Sequence, residues 1–202
     1  MSATAILMTL VLSLPASAED AVVVRTSAGD ELKMTGRIVD YDDAELRIEL
    51  AGGRQQTVPA ENVLRIETRH DPRQLQANQA QAESRHDAAL VLYQKALAVE
   101  RRRWVRRAII REMIWCHRAL GQIEQAGQLF LVLARDRPGP SDFACMPLGW
   151  SAAPPSASLE RAARAWLARD DLPAAVLLGT SHLLSTTPSA AVRLKRLMVE
   201  AD

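Results

Sequence analysis

The sequence predicts a multidomain α+β chain, with a small five-stranded antiparallel β-barrel followed by an all-α helical array. Up to residue 69, short runs alternate apolar and polar side chains, which is the period of a strand. From residue 70 onward, apolar side chains recur every three or four positions, which is the period of a helix. The charge changes at the same place. Residues 19–69 carry 11 acidic and 7 basic side chains, a net of −4, and residues 70–202 carry 13 and 18, a net of +5. The expected domains are therefore 19–69 and 70–202.

The N-terminal segment has the pattern of a secretory signal peptide. An apolar run over residues 5–14 precedes Pro15 and a triplet of small residues that ends at Ala18. The run is too short to span a bilayer, which requires about 20 apolar residues. We therefore expect residues 1–18 to be removed and the protein to be exported to a periplasmic, cell-envelope or extracellular location. A buried N-terminal strand or helix is the alternative, because no Lys or Arg precedes the apolar run.

Turn-forming pairs divide residues 19–69 into five short runs. The pairs are Gly29-Asp30, Asp42-Asp43 and Gly52-Gly53. Strands are expected at residues 22–26, 32–41, 46–50, 55–58 and 63–68. Gly36 lies within the long second run and would let that strand bend, as the corner of a small barrel requires. So short a segment is expected to cover its apolar face by curling into a closed barrel.

The stretch GRIVDYDDAELRIELAGGRQQTVPAENVLRIE, residues 36–67, resembles small Sm-like barrels in its order of strands and turns. The resemblance implies a closed barrel, but the loop residues that bind ligands in that family have no match here. No ligand site is therefore expected in this part. RNA binding is also opposed by the net negative charge, since phosphate contacts need Lys and Arg. A structural barrel that docks on the next domain or on a partner is the expectation.

Two segments of the second part share a pattern. Residues 86–100, HDAALVLYQKALAVE, and residues 123–138, IEQAGQLFLVLARDRP, align with small and bulky residues at the same offsets. This pattern is similar to the second helix of a tetratricopeptide repeat (TPR), where an aromatic residue follows a small one by four positions and a proline comes later. The resemblance implies antiparallel helix pairs that stack into an array. The residues expected to pack the repeats are Ala89, Tyr93, Ala96, Gly121, Ala126, Phe130 and Pro138.

The repeats are expected at about 70–103 and 107–140, with a degenerate third repeat at about 156–189. The second repeat has Ile114 where a TPR usually has a small residue. In the third repeat Ala175 is the small residue, Gly179 and His182 replace the expected aromatic residue and alanine, and Pro188 is the terminator. A proline-rich connection separates the second and third repeats. It is expected to pack partly on the helices, because it carries Phe143, Met146, Leu148 and Trp150.

An arginine-rich segment, ERRRWVRRAIIRE, begins at residue 100. The apolar spacing predicts an amphipathic helix over residues 103–120, with Arg107, Arg111 and Arg118 on roughly one solvent-facing side. The candidate partner-binding residues are Arg103, Arg107, Arg111 and Arg118. One alternative is a merely solvated face, or a face that meets the acidic barrel or an acidic peptide. Another is a binding module for an anionic polymer or surface through Arg101 to Arg111. Nucleic acid is not an expected partner of an exported protein.

The sequence predicts no catalytic residue, no metal site and no cofactor. Its four histidines are scattered, and no HExxH, GxSxG, P-loop or dinucleotide glycine pattern is present. Cys116 and His117 are adjacent, but neighbouring helix residues point about 100° apart, which disfavours a Cys-His nucleophile. An enzyme of unrecognised type remains an alternative.

Two further sets of side chains leave alternatives open. Cys116 and Cys145 are able to pair in an oxidising compartment. A buried free thiol is favoured for Cys116, which lies within an apolar helical run. The acidic side chains Asp40, Asp42, Asp43 and Glu45 predict a polar hairpin loop, with a weak calcium site as the alternative.

The expected function is that of an exported, non-enzymatic protein–protein interaction or scaffold protein. The expected partner is another protein or a peptide, held on the concave face that the TPR resemblance implies. No membrane-spanning segment is expected. The oligomeric state and the identity of the partner are not indicated by the sequence.

Overall fold

The computed structural model describes residues 20–149, 156–169 and 171–184, in which five strands are followed by seven α-helices. The predicted signal peptide therefore lies outside the described residues. The strands are β1 (Asp20–Arg25), β2 (Glu31–Tyr41), β3 (Glu45–Leu50), β4 (Gln55–Pro59) and β5 (Val63–Glu67). The helices are α1 (Pro72–Ala82), α2 (His86–Val99), α3 (Arg103–Ala119), α4 (Ile123–Ala134), α5 (Pro140–Ala144), α6 (Ala157–Leu167) and α7 (Pro173–Leu183). All five predicted strands are confirmed to within two residues at each end.

The strands form one antiparallel sheet in the order β4-β3-β2-β1-β5. The prediction of a barrel is wrong, because β4 and β5 do not pair and the sheet is open. The alternation of side chains predicted a buried face correctly, but it does not determine what covers that face. Helices of the second part cover it, since Leu46 and Ile48 of β3 belong to the same buried cluster as Trp104 and Val105 of α3.

Gly36 allows two strands to approach closely. It pairs with Asp20 of β1 and with Leu50 of β3, at the point where β2 passes from one neighbour to the other. A Cβ atom at this position would lie 2.3 Å from the carbonyl oxygen of Glu49. The glycine is thus required for strand contact rather than for closing a barrel.

The helices form three antiparallel pairs, α1 with α2, α3 with α4, and α6 with α7. Ala89, Ala126 and Ala175 occupy matching places in the second helix of each pair, and all three are fully buried. Twelve positions earlier in each case stand Ala77, Ile114 and Ala163, which are also fully buried. Each pair therefore buries one residue of each helix at the same offset. The sequence comparison aligned only the residues of the second helices.

The other repeat-packing residues take the places expected of them, with one difference. Tyr93, Ala96 and Phe130 are fully buried. Gly121 adopts a left-handed conformation with φ of 69° in the turn between α3 and α4, which glycine tolerates without steric cost. Pro138 is not adjacent to the helix end, because α4 already ends at Ala134.

The third helix pair brings its two backbones close together at Gly179. A Cβ atom on Gly179 of α7 would lie 2.5 Å from the carbonyl oxygen of Ala163 and 2.7 Å from the amide nitrogen of Leu167. The backbones of α6 and α7 are thus in direct contact, which leaves no room for the aromatic residue present in the first two pairs. The predicted terminator Pro188 lies outside the described residues.

The connection after α4 packs on the helices, as expected for part of it. Cys145 and Met146 are buried in the same cluster as Phe130 and Trp166. The carbonyl oxygen of Pro147 lies 2.8 Å from His182 Nε2, and the amide of Gly149 donates to Ser181 Oγ at 3.1 Å. Phe143, by contrast, is 43% exposed. Trp150 lies outside the described residues.

Candidate partner-binding surfaces

The first turns of α3 place two of the candidate arginines against acidic side chains of other elements, Arg107 in the interior and Arg103 at an exposed position. Arg103 Nη2 lies 2.5 Å from Asp136 Oδ2 in the loop after α4, and Arg103 Nη1 lies 3.9 Å from Asp40 Oδ2 on β2. Arg107 pairs with Asp142 on α5 and donates a hydrogen bond of 2.7 Å to the carbonyl oxygen of Asp136. Both guanidinium groups are therefore engaged by the chain itself.

Arg107 does not face the solvent, so that part of the expectation for α3 is wrong. Arg107 is 9% exposed and Asp142 is 1% exposed. The segment after α4 returns across α3 and places Asp142 against Arg107, and Arg111 Nη1 lies 3.4 Å from the same carboxylate. The periodicity of α3 does not reveal this burial, because Asp142, which pairs with Arg107, comes 35 positions later in the chain.

Arg118 belongs to a different surface. Its guanidinium lies over the ring of Trp115, 4.2 Å from the ring centroid, and Trp115 is 42% exposed. Arg118 Nη1 is buried and has no hydrogen-bond partner among the residues that the structure describes. The four candidate arginines are therefore divided. Arg103 and Arg107 lie beside the sheet, Arg111 lies near Asp142 of α5, and Arg118 lies near the end of α3.

The loop between α2 and α3 ties the helices to the sheet. Arg102 donates to Thr68 Oγ1 at 2.6 Å and to the carbonyl oxygen of Arg69 at 2.8 Å, and it pairs with Glu100 at 2.7 Å. Arg101 is exposed, and in the described part of the chain its side chain makes no hydrogen bond or ion pair. The arginine-rich segment is thus mostly a structural junction.

A polar cleft of about 350 Å³, here called the junction cleft, lies between the sheet and the helices. It is lined by Asp40, Asp42, Glu45, Arg47, Arg103, Arg107, Asp136 and Arg137. Four carboxylates and four guanidinium groups balance one another, and Arg47 pairs with Asp40 at 3.0 Å. The cleft therefore offers no net positive charge to an anionic partner.

The acidic turn between β2 and β3 forms a polar hairpin loop. The Asp42 carboxylate accepts backbone hydrogen bonds of 2.9 Å from Glu45 and from Ala44, and these bonds hold the pKa of Asp42 below its usual value. Asp43 accepts from the amide of Ser141 at 2.7 Å and from its hydroxyl. No group of three or more His, Cys, Asp or Glu side chains is placed to hold a metal ion in the residues described.

A second cavity, here called the α1–α3 groove, has about 440 Å³. It is lined by Gln74, Asn78, Gln81, Ala82, Tyr93, Ala108 and Glu112. The Tyr93 hydroxyl lies 2.8 Å from Asn78 Oδ1 and 2.7 Å from Gln81 Oε1. Gln81 Nε2 in turn donates to Glu112 Oε2 at 2.8 Å. A continuous hydrogen-bonded set of side chains therefore crosses from α2 through α1 to α3.

The sequence prediction missed this groove. Gln74, Asn78 and Gln81 recur at helical spacing and so share one face of α1, but such a face usually only faces solvent. The signal that would have identified it is the position of that face beside the repeat-packing residue Tyr93 and the buried Ala77. This becomes clear only when α3 is placed next to α1.

The two cysteines are free and buried, so the disulfide alternative is excluded in this structure. Burial, together with the nearby charge of Glu112, raises the pKa of Cys116 to about 11. Burial and the charge of Asp142 do the same for Cys145, also to about 11. His117 Nδ1 lies 2.7 Å from Gln122 Oε1 and is not paired with the neighbouring thiol. This arrangement does not activate Cys116 as a nucleophile.

No protein-family model, no curated protein and no solved structure matches this chain. The TPR and Sm-like resemblances therefore rest on the residues quoted for them. Across residues 20–149, 156–169 and 171–184, no helix combines the length and the apolar character needed to cross a membrane.

Proposed function

We propose that this is an exported, non-enzymatic interaction protein whose TPR-like helical array holds a segment of a partner protein in the α1–α3 groove. The α1–α3 groove is the observation that carries the proposal. Its side chains offer several hydrogen-bond donors and acceptors, and they are held in place by one another through Tyr93, Gln81 and Glu112. An extended segment presents backbone N–H and C=O groups that such side chains bind well.

The arginine-rich segment gives less support to the alternative of an anionic polymer or surface. Arg102, Arg103, Arg107 and Arg111 have acidic partners within the chain. Arg107 is the buried member, and releasing it would leave Asp142 unpaired in the interior, at a cost that a new contact must offset. The ion pair of Arg103 with Asp136 is exposed and contributes little stability, so it opposes such binding less. In the described part of the chain, the side chain of Arg101 makes no hydrogen bond or ion pair.

The test is a pulldown from a cell-envelope fraction with the full chain, expressed with its own N-terminal segment and a C-terminal tag. Ala108→Trp would fill the α1–α3 groove, and Val91→Trp, on a 50% exposed position of α2, is the matched control. We expect a protein that is captured by the wild type and by Val91→Trp but not by Ala108→Trp.

Two outcomes would count against the proposal. Capture that survives Ala108→Trp would place the partner elsewhere on the molecule. Retention of an anionic polymer that salt removes, and that Arg101→Glu weakens, would favour the alternative. Arg101 is the suitable position for charge reversal, because reversing buried Arg107 would disturb the fold.

A further inference from the structure

Glu112 differs from the acidic residues at the junction with the sheet. Asp40, Asp136 and Asp142 each lie within ion-pair distance of an arginine. Among the described residues, no Lys or Arg forms an ion pair with Glu112, whose carboxylate accepts one hydrogen bond from Gln81. Glu112 is thus a partly buried carboxylate without a cationic partner in the described ranges.

The surroundings of Glu112 are neutral and polar. Gln74, Asn78 and Gln81 are carboxamides, and Tyr93 is a phenol whose pKa is raised first by burial and then by the charge of Glu112. The same charge contributes to the raised pKa of Cys116. Glu112 is the charged residue among those that line the groove, so the lining carries a net negative charge.

A carboxylate has about four hydrogen-bonding positions on its two oxygens, and the contact with Gln81 uses one of them. A cation brought to the site would occupy hydrogen-bonding positions that the groove leaves open and would form a charge-assisted contact there. An acidic segment would instead bring like charges together. The complement of this groove is an N–H-rich cationic side chain.

We propose that the α1–α3 groove selects partner segments that carry an arginine or lysine, with the cationic group seated at Glu112. This inference rests on the proposed function, since it names the chemistry of the segment that the groove would hold. Asn78 and Gln81, beside Glu112 in the lining, are placed to bind the backbone next to that residue. Trp115, three positions after Glu112 on the same helix face, offers apolar surface to the aliphatic part of a neighbouring side chain.

This preference is opposite to the one that the sequence suggests. The arginines of α3 favour an acidic partner when the helix is considered alone. In the folded chain those near the sheet are paired internally, and the charge that remains without a partner in the groove is negative.

The experiment uses an immobilised library of nonapeptides in which the central position is fixed as each amino acid in turn and the other positions are mixtures. A set with citrulline at the centre supplies a neutral analogue of arginine. With the full chain we expect binding to be about tenfold stronger for central Arg or Lys than for citrulline, as a charge-assisted hydrogen bond allows. Equal binding of Arg and citrulline, or a preference for Asp and Glu, would overturn the inference.

Variants of the chain connect that preference to one side chain. Glu112→Gln keeps the shape and removes the charge, and it should abolish the preference for Arg and Lys. Glu124→Gln is the matched control, because Glu124 is a partly exposed carboxylate on α4 outside the groove. A preference that persists in Glu112→Gln shows the inference to be wrong.

Ala108→Trp separates this inference from the proposed function. If Ala108→Trp loses all peptide binding while Glu112→Gln keeps the preference for Arg and Lys, the groove holds peptides and only the inference about Glu112 is wrong. If Ala108→Trp binds peptides as the wild type does, or if the wild type binds none, both the groove and its selectivity fail. Circular dichroism of each variant confirms that it is folded.

Discussion

The ring of Tyr41, at the end of β2, meets the indole of Trp104 edge to face, with the two ring centroids 6.4 Å apart. The contact joins the sheet to the first turn of α3. Aromatic pairs in this geometry contribute about 0.5–1.5 kcal/mol beyond their buried area. The two predicted parts of the chain therefore share one hydrophobic core at this point.

Replacing Trp104 should weaken the whole fold. Trp104 is 7% exposed, and Trp104→Ala is expected to lower the free energy of unfolding by about 3–5 kcal/mol. Trp115→Ala is the control, because Trp115 is 42% exposed and should cost about 1 kcal/mol or less. Urea denaturation followed by far-ultraviolet circular dichroism provides the measurement. Equal losses for the two variants would show that the sheet does not depend on this contact.

The pair formed by Arg107 and Asp142 should behave as a buried ion pair. Arg107→Ala leaves the Asp142 carboxylate buried without its main cation, and we expect a loss of about 3–5 kcal/mol. Arg107→Met combined with Asp142→Asn should recover part of that loss, since neither charge then remains unpaired. Arg101→Ala is the exposed control, with little expected change. Additive effects of the two substitutions in a double-mutant cycle would contradict the pairing.

The cysteines should be inert to thiol reagents while the protein is folded. Burial raises the pKa of both thiols to about 11, so at pH 8 about one in a thousand is a thiolate. We expect dithionitrobenzoate to modify neither Cys116 nor Cys145 in the native chain and to modify both in denaturant. Rapid modification of the folded chain would mean that these sites open readily. A reductant should leave the unfolding midpoint unchanged, because the cysteines are free.

Stability should fall on acidification because of His182. Burial lowers the pKa of His182 below its usual value of about 6.5, although the carbonyl of Pro147 partly opposes this shift. The unfolded chain therefore binds this proton at a higher pH than the folded chain does. The stability that neutral His182 contributes to the folded state is fully present above about pH 6.5. It is lost as the pH falls toward the lowered pKa of His182 in the folded chain.

Denaturation curves between pH 5 and pH 8 measure this effect. The change of stability with pH should be smaller in His182→Gln than in the wild type. An unchanged slope in His182→Gln would show that other groups cause the acid sensitivity.

Local patterns predicted the secondary structure well. The alternation in LRIEL placed Leu46 and Ile48 on the buried face of β3, and both are fully buried. The offset of small residues placed Ala89 and Ala126 at the contacts within helix pairs. These features depend on neighbours in the chain, so the sequence contains most of the information that fixes them.

Long-range relations were not predictable in the same way. The open edge of the sheet depends on whether β4 and β5 meet, and the burial of Arg107 depends on a loop that returns from α4. The groove at Glu112 depends on the separation of two helices, which no periodicity within α1 or α3 encodes. Gly179 is another example. It departs from the repeat pattern in sequence, and in the structure it lets the backbones of α6 and α7 approach closely.

Asp43 and Ser141 are 98 positions apart in the chain, yet their hydrogen bonds join the turn after β2 to the start of α5. Closing so long a loop is entropically costly before the intervening elements are in place. We therefore expect this contact to form late during folding and to be among the first to break during unfolding. Replacing Asp43 by Ala should then accelerate unfolding while leaving the rate of folding nearly unchanged.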